Sequence, residues 1–152
     1  MVNRETLISD ILSFIKNDLI DSISDPINST RGIKSAFVMT SYPTKPVQYP
    51  IITIKSTNIE ALRSGMQSSL QDIRITLELR IWARNEKEKD TIYSKLLDRL
   101  ANIQFTTSTG SVANDLMDFN VLSSVEIDEE GEPNGQVIKS RIMQVVYNFY
   151  ST

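Results

Sequence analysis

The chain has 152 residues, with 16 Lys and Arg against 19 Asp and Glu, and it contains no cysteine and no histidine. Its length predicts a single domain spanning residues 1–152, and the 40% of apolar residues is enough to form a core. The net charge of −3 argues against a general nucleic-acid binder, and the missing thiols and imidazoles exclude disulfides, zinc fingers, iron–sulfur centres and Ser-His-Asp triads.

The first predicted element is an amphipathic helix from Thr6 to about Ile23, in which apolar residues recur at spacings of three and four. Asp25 and Pro26 end this helix, because proline disfavours helical geometry in the residue before it. The first residues carry polar and acidic side chains where a signal peptide needs an apolar block, and no apolar run reaches about 18 residues. We therefore expect no membrane contact and a protein made and used in the cytoplasm.

Two short strands are predicted next, at Lys34–Thr40 and at Ile51–Lys55, because both segments are rich in strand-forming residues. The proline-rich segment Ser41–Pro50 between them is predicted to be a rigid connector. Residues Asn58–Leu70 carry apolar side chains at helical spacing, but they also include Gly65 and several serines. A short helix and an ordered loop are equally compatible with that pattern.

The clearest local signal is a strand that leads directly into a helix between Gln71 and Ile103. Apolar residues alternate with polar ones along the strand, which predicts one buried and one polar face. Asn85 and Glu88 have the spacing of a capping box at the start of the helix. The apolar stripe of that helix contains Ile92, Tyr93, Leu96, Leu97, Leu100 and Ile103.

The last third of the chain is predicted to form a hairpin. One strand is expected around Phe119–Ile127, a turn at Glu129–Gly135, and a long returning strand at Val137–Tyr150. Before it come a Thr- and Ser-rich segment, Phe105–Gly110, and a segment compatible with one helical turn, Val112–Met117.

Together these elements predict an α+β fold, with a mostly antiparallel sheet of about five strands and two main helices packed on one face. The central strand is about ten residues or roughly 33 Å long, against a usual five or six residues. Such a length favours strand pairing beyond the monomer.

No pattern in the sequence predicts catalysis. The phosphate-binding motifs GxGxxG and GxxxxGK[ST] are absent, and Ser64, Ser68 and Ser69 have no histidine to act as a base. The acidic residues between Glu126 and Glu132 surround a turn, where solvation is the simple interpretation and weak cation binding the alternative. We therefore predict no enzymatic activity, no cofactor and no metal site.

The polar side of the central strand carries the first group of candidate interface residues. One interpretation is a solvated sheet face with ion pairs, each contributing under about 1 kcal/mol. The other is a subunit contact, because arginine and tryptophan are enriched in interfaces, although the single tryptophan is equally able to pack under a loop. The residues are Arg74, Glu78, Arg80, Trp82 and, just beyond the strand, Arg84.

A second candidate group lies around the connector. Tyr42 and Tyr49 are each followed by a proline, which makes a small aromatic-proline group. Rigid packing of the connector and a docking surface for a partner are both compatible with this composition.

The order of these elements resembles the tail terminator, or tail-completion, proteins of long-tailed bacterial viruses. The resemblance covers nearly the whole chain and depends on element order and length, since no single residue is diagnostic. It is carried by the opening helix Glu5–Ile23, YPIITIK at Tyr49–Lys55, DIRITLELRIWARN at Asp72–Asn85, the helix EKEKDTIYSKLLDRLANI, and the final strand ending in VVYNFY.

The resemblance implies a homo-oligomeric ring, commonly a hexamer, that caps the tail tube, ends tail elongation and presents a surface to the head-tail connector. Its implied partners are the tail tube protein and the connector protein, its location is the virion tail after assembly in the host cytoplasm, and DNA only passes through its channel. A neck or head-completion protein is the nearest alternative. A metal-dependent phosphoesterase with clustered carboxylates, or a nucleic-acid module using Arg74, Arg80 and Arg84 with Trp82, are alternatives from other classes.

Overall fold

The structure is a computed structural model that describes residues 7–42, 44, 47–63, 65–66, 71–102, 118–129 and 138–151. Side chains are described for most of these residues, but not for residues 118–129. The elements are α1 (Leu7–Ser22), α2 (Asn28–Arg31), a short 3₁₀ turn (Lys34–Ala36), β1 (Val38–Met39), β2 (Ile51–Arg63), β3 (Gln71–Ala83), α3 (Glu86–Asn102), β4 (Asp118–Glu129) and β5 (Ile138–Ser151).

The described strands form one five-stranded sheet in the order β1-β2-β3-β5-β4. The two-residue β1 runs parallel to β2, and all other neighbouring strands are antiparallel. β3 lies in the middle and pairs along its whole length with both β2 and β5. The predicted α+β class and mostly antiparallel sheet of about five strands are therefore confirmed.

Helices α1 and α3 pack on the same face of this sheet, as predicted. Ile15 and Leu19 of α1 and Leu96 and Leu100 of α3 are buried in one core together with alternate residues of β3, from Ile73 to Ile81. The two helices are also joined directly, since Arg99 Nε and Nη2 donate to Asp18 Oδ2 and Oδ1 at 2.7 and 2.5 Å. We call this covered side the inner face and the opposite side the outer face.

The predicted helix start at Asn85 is confirmed, and its capping box is half formed. The Glu88 N–H donates to Asn85 Oδ1 at 2.9 Å, which is the expected cap. Glu88 does not return a bond to the Asn85 N–H; its Oε1 accepts from the Arg84 N–H at 3.1 Å and from the Arg84 side chain. The ion pair with Arg84 accounts for this shift by one residue.

Two predicted elements in the first half of the chain are wrong. Lys34–Thr40 is not a continuous strand, because the 3₁₀ turn Lys34–Ala36 occupies its first half and only β1 pairs with the sheet. Asn58–Leu70 is neither helix nor loop at its start, because β2 continues to Arg63. Ladder pairing with β3 overrides the helical spacing there, after a bulge between Ser56 and Asn58.

The strands of the C-terminal third are confirmed, with β4 at Asp118–Glu129 paired antiparallel to β5 at Ile138–Ser151. The predicted turn at Glu129–Gly135, the Thr- and Ser-rich segment Phe105–Gly110 and the helical turn Val112–Met117 fall wholly or almost wholly on residues outside the described part of the chain.

Candidate interaction site

The candidate site lies on the outer face, at the end of β3 that is closest to β1. Alternation along β3 places Arg74, Thr76, Glu78, Arg80 and Trp82 on this face, and none of them is fully buried. No described helix covers this side of the sheet, since the packed helices belong to the inner-face core. Among the described residues, Tyr42 of the connector contacts this face at the Trp82 ring.

Arg80 and Trp82 form a stacked pair on this face. The guanidinium carbon of Arg80 lies 3.8 Å from the centroid of the Trp82 ring, which is a close cation–π contact. The Trp82 indole N–H donates to Thr53 Oγ1 of β2 at 3.2 Å, and Arg80 Nη2 donates to Ser140 Oγ of β5 at 3.3 Å. Bonds to both neighbouring strands therefore hold the pair in one orientation.

Tyr42 and Tyr49 complete the same cluster from the connector. The Tyr42 ring lies 4.9 Å from the Trp82 ring at an angle of 50°, and the two tyrosine hydroxyls are 2.6 Å apart. Tyr49 is buried, whereas Tyr42 is 47% exposed. The two groups that the sequence suggested separately thus meet at one place, and we call Tyr42, Tyr49, Arg80 and Trp82 the Trp82 cluster.

A small second core packs against the Trp82 cluster. Tyr49, Ile51 and Ile138 are buried together, and Met39, Val47 and Trp82 pack against them. Trp82 therefore does pack beneath a loop residue, Tyr42, and it remains partly accessible at the same time. Both properties that the sequence left open for this indole are realised.

An open cavity of about 430 Å³ borders the Trp82 cluster. Its rim contains an ion pair between Lys55 Nζ and Glu78 Oε1 at 3.3 Å, in which the lysine is largely exposed. The full lining is Thr40, Ser41, Tyr42, Thr53, Ile54, Lys55, Glu78, Arg80 and Trp82. The site thus combines aromatic walls with charges of both signs.

Arg80 is a partly desolvated cation. Burial lowers the pKa of Arg80 below the ordinary value of an arginine, while the charge of Glu78 and the hydroxyl of Tyr42 act in the opposite direction. An arginine remains protonated at neutral pH despite such a shift. Because cation–π attraction increases as the cation loses water, the stacking on Trp82 stabilises the charge where it is.

Three of the predicted interface residues lie outside the Trp82 cluster, and one of them, Glu78, lines the adjoining cavity. Arg74 is near the opposite end of β3, where its Nη2 is 3.7 Å from Asp72 Oδ2. Arg84 follows β3 and pairs with Glu88 of α3, with Nη2 to Oε2 at 2.5 Å. The hydrogen bond with Glu88 is the main cause that raises the pKa of Arg84.

Arg31 binds the backbone on both sides of Tyr49. The sequence analysis did not identify this residue. Its side chain is 3% exposed and pairs with Asp25, which is 8% exposed, through Nε to Oδ2 at 2.5 Å. The same guanidinium donates to the carbonyls of Gln48, at 2.7 Å, and of Pro50. These two carbonyls flank Tyr49, so Arg31 fixes the backbone that places Tyr49. A single arginine in a turn-rich link gives no sequence signal for this role.

In the part of the chain that the structure describes, no three His, Cys, Asp or Glu side chains form a group that could hold a metal ion. Within the same residues, no helix is both long enough and apolar enough to cross a membrane.

No protein-family model and no curated protein matches the sequence. Among solved structures, 36 chains match. One is a chain of a structure described as "Virion of native gene transfer agent (GTA) particle", with a TM-score of 0.60, 8% sequence identity, and coverage of 95% of this chain and 98% of that chain. At this identity the likeness is one of fold, and it extends over nearly the full length of both chains.

Proposed function

We propose that this chain is a structural protein of a phage-like virion and that six copies of it form a homo-oligomeric ring on the end of the tail tube. The ring ends tail elongation and presents the surface that joins the head-tail connector. Its place is the virion tail after assembly in the host cytoplasm, and DNA passes through its channel without being a specific ligand. The protein acts through surfaces and has no catalytic centre.

The observation that carries this proposal is the fold likeness to a chain of a gene transfer agent virion. It spans 95% of this chain and 98% of that chain, so it is a likeness of the whole fold and not of one local segment. The element order of this chain led to the resemblance with tail terminators. A shared fold alone does not assign a function, which depends on the residues of the site.

The Trp82 cluster supports a role in assembly, because it has the composition of an interface hot spot. Tryptophan, tyrosine and arginine dominate binding energy in protein interfaces, especially where they are pre-oriented and partly desolvated. Arg80 and Trp82 are held by bonds to β2 and β5, and Tyr42 is 47% exposed above them. A partner that covers Tyr42 would complete the burial of an already ordered cluster.

The alternatives have less support. A neck or head-completion protein would use the same fold and the same kind of surface, and only its partner differs. A metal-dependent phosphoesterase needs convergent carboxylates, and the described residues contain no such group. A nucleic-acid module would need an indole face for stacking, but Arg80 already covers one face of Trp82 and Tyr42 packs on the same ring.

The decisive experiment mixes the purified protein with tail tubes assembled from the tube protein of the same genome. Electron microscopy should show one ring at the tube end, and mass measurement should show a defined oligomer on the tube or in solution. A matched sample with head-connector protein alone separates the rival, because a neck protein would bind the connector and leave tube ends bare. Monomers that never bind tube ends would contradict the proposal.

A further inference from the structure

Two long strand edges of the described sheet have no described strand partner. β1 pairs with β2 only at Ile52 and Thr53. Beyond them, no described strand lies against the outer edge of β2, which runs over ten residues from Ile54 to Arg63. At the other end of the sheet order, β4 has β5 as its only described neighbour. Such edges offer N–H and C=O groups to a strand from another chain.

The direction of the backbone groups on β2 follows from one hydrogen bond. The Ile52 N–H donates to the Phe37 carbonyl at 2.9 Å, so it points away from β3 and towards the outer edge. In an antiparallel ladder, alternate residue pairs exchange bonds and the pairs between them point outward. Ile52 is opposite Ile81. The backbone N–H and C=O groups of β2 residues that lie opposite odd-numbered residues of β3 therefore point to the outer edge.

This alternation can be followed through the bulge to the open part of the edge. Ile59 and Ala61 are opposite Ile75 and Ile73, which belong to the same odd-numbered series of β3. Their N–H and C=O groups therefore point outward, while those of Glu60 between them point to β3. The hydroxyl of Thr57 donates to the Thr76 carbonyl at 3.3 Å, which confirms that even-numbered carbonyls of β3 face β2.

We propose that the outer edge of β2, Ile54–Arg63, pairs antiparallel with β4 of a second copy of this chain, so that the sheets of neighbouring subunits join head to tail. This proposal rests on the ring in the proposed function and names the contact that builds it. β2 and β4 run in opposite directions within the sheet, because three antiparallel pairings separate them. Rotation about a ring axis along the strands preserves these directions, so β4 and the neighbouring β2 meet antiparallel.

The charges of the two edge strands favour this partner over a strand of the same kind. The sequence of β4 contains Asp118, Glu126, Asp128 and Glu129 and no basic residue. The open part of β2 carries Lys55 and Arg63 against the single acid Glu60. Pairing β4 with β4 would bring acids together, whereas pairing β4 with β2 brings them to a strand with an excess of base.

The first test changes only the outward backbone. Ala61→Pro removes an outward N–H that β3 does not use, and proline is tolerated on an edge with this orientation. We expect it to weaken self-association at least tenfold in solution or on tail tubes, with an unchanged circular dichroism spectrum. The matched control Ala61→Ser keeps the N–H and should assemble like the parent chain. Equal assembly of folded Ala61→Pro and Ala61→Ser would overturn the proposal.

The second test uses the absence of cysteine in the chain. Ala61→Cys is combined in turn with a cysteine at each position from Asn120 to Val125, and each folded double variant is oxidised in solution and on tubes. Head-to-tail pairing predicts covalent ladders longer than a dimer for at least one register, with single-cysteine variants limited to dimers at low yield. Absence of ladders in every folded double variant, or dimers of Ala61→Cys alone at equal yield, would overturn it.

The experiment distinguishes failure of the strand pairing from failure of the proposed function. If the chain caps tubes but forms no ladders, the proposed strand pairing is wrong and tube capping stands. If the chain forms ladders but never binds tubes, the strand pairing stands and tube capping is wrong.

Discussion

The two ends of the outer face of β3 have the same alternating sequence pattern and very different environments. At one end, Trp82 and Arg80 are stacked, bonded to neighbouring strands and overlain by Tyr42. At the other end, half of the Arg74 side chain is exposed, and its ion pair with Asp72 is long, at 3.7 Å. We call these the Trp82 end and the Arg74 end.

The difference arises from segments that are remote in sequence. β1 and the connector residues Tyr42 and Tyr49 lie against the Trp82 end only, and the small second core forms beneath them. Alternation along a strand therefore assigns a side chain to a face, but its burial depends on what crosses that face. Since binding energy concentrates at ordered and partly desolvated residues, the Trp82 end is the better candidate for a subunit or partner contact.

The largest effect is expected from a core substitution that unfolds the chain and so disrupts the Trp82 end and the Arg74 end together. Leu79 lies on the inner face midway along β3 and is fully buried. Leu79→Asp places a carboxylate in the apolar core between the sheet and the helices. An unpaired buried charge of this kind lowers the free energy of unfolding by more than about 4 kcal/mol. We expect an unfolded or aggregated chain by circular dichroism. The control is Leu79→Met, which keeps volume and should stay folded with a loss under about 1.5 kcal/mol.

Arg31→Met should damage the Trp82 end selectively. It leaves Asp25 buried without its guanidinium partner and frees the backbone on both sides of Tyr49. Breaking a buried pair from one side costs about 3–5 kcal/mol. We expect a lower urea midpoint and, in the folded protein, altered fluorescence of Trp82, the single tryptophan of the chain.

The double variant Asp25→Asn with Arg31→Met provides the control, because it removes the stranded charge and should recover part of the stability. Arg74→Met at the Arg74 end should change stability by less than about 0.5 kcal/mol and leave the fluorescence unchanged. Equal effects of Arg31→Met and Arg74→Met would contradict the distinction between the two ends.

Sequence reasoning predicted well what depends on local periodicity. The helix α1, the strand β3 and the capped start of α3 at Asn85 all follow from patterns within about ten to twenty residues. It failed where pairing between distant segments decides the outcome. β2 extends to Arg63 because β3 supplies a ladder, although Asn58–Leu70 has helical spacing.

The same limit applies to the candidate site. The residue types Tyr42, Tyr49, Arg80 and Trp82 were identifiable because aromatic and arginine side chains stood out on a polar strand face and in the connector. Their meeting in one cluster was not predictable, because it depends on the connector folding back over the end of β3. The role of Arg31 was not predictable for the same reason, since the carbonyls of Gln48 and Pro50 that it binds lie 17 and 19 residues further along the chain.

Charge reversal at each end tests the proposed contact directly. Arg80→Glu places an acid beside Glu78 and removes the cation over Trp82, so we expect a folded chain whose binding to tube ends falls at least tenfold. Arg74→Glu is the matched reversal at the Arg74 end and should change binding by less than about threefold, or under roughly 0.7 kcal/mol. Quantitative electron microscopy of capped tubes gives both numbers. Normal capping by folded Arg80→Glu would remove the Trp82 cluster from the interface.

The smallest expected effect concerns a single hydroxyl group. Tyr42→Phe keeps the ring on Trp82 but removes the hydrogen bond between the Tyr42 and Tyr49 hydroxyls. A hydrogen bond of this kind contributes about 0.5–1.5 kcal/mol, and the exposure of Tyr42 favours the lower half of that range. Tyr42→Ala removes the ring as well, so it should cost more and shift the Trp82 emission to longer wavelength. If Tyr42→Phe and Tyr42→Ala were equal in urea unfolding, the hydroxyl bond rather than the ring would be what orders the Trp82 end.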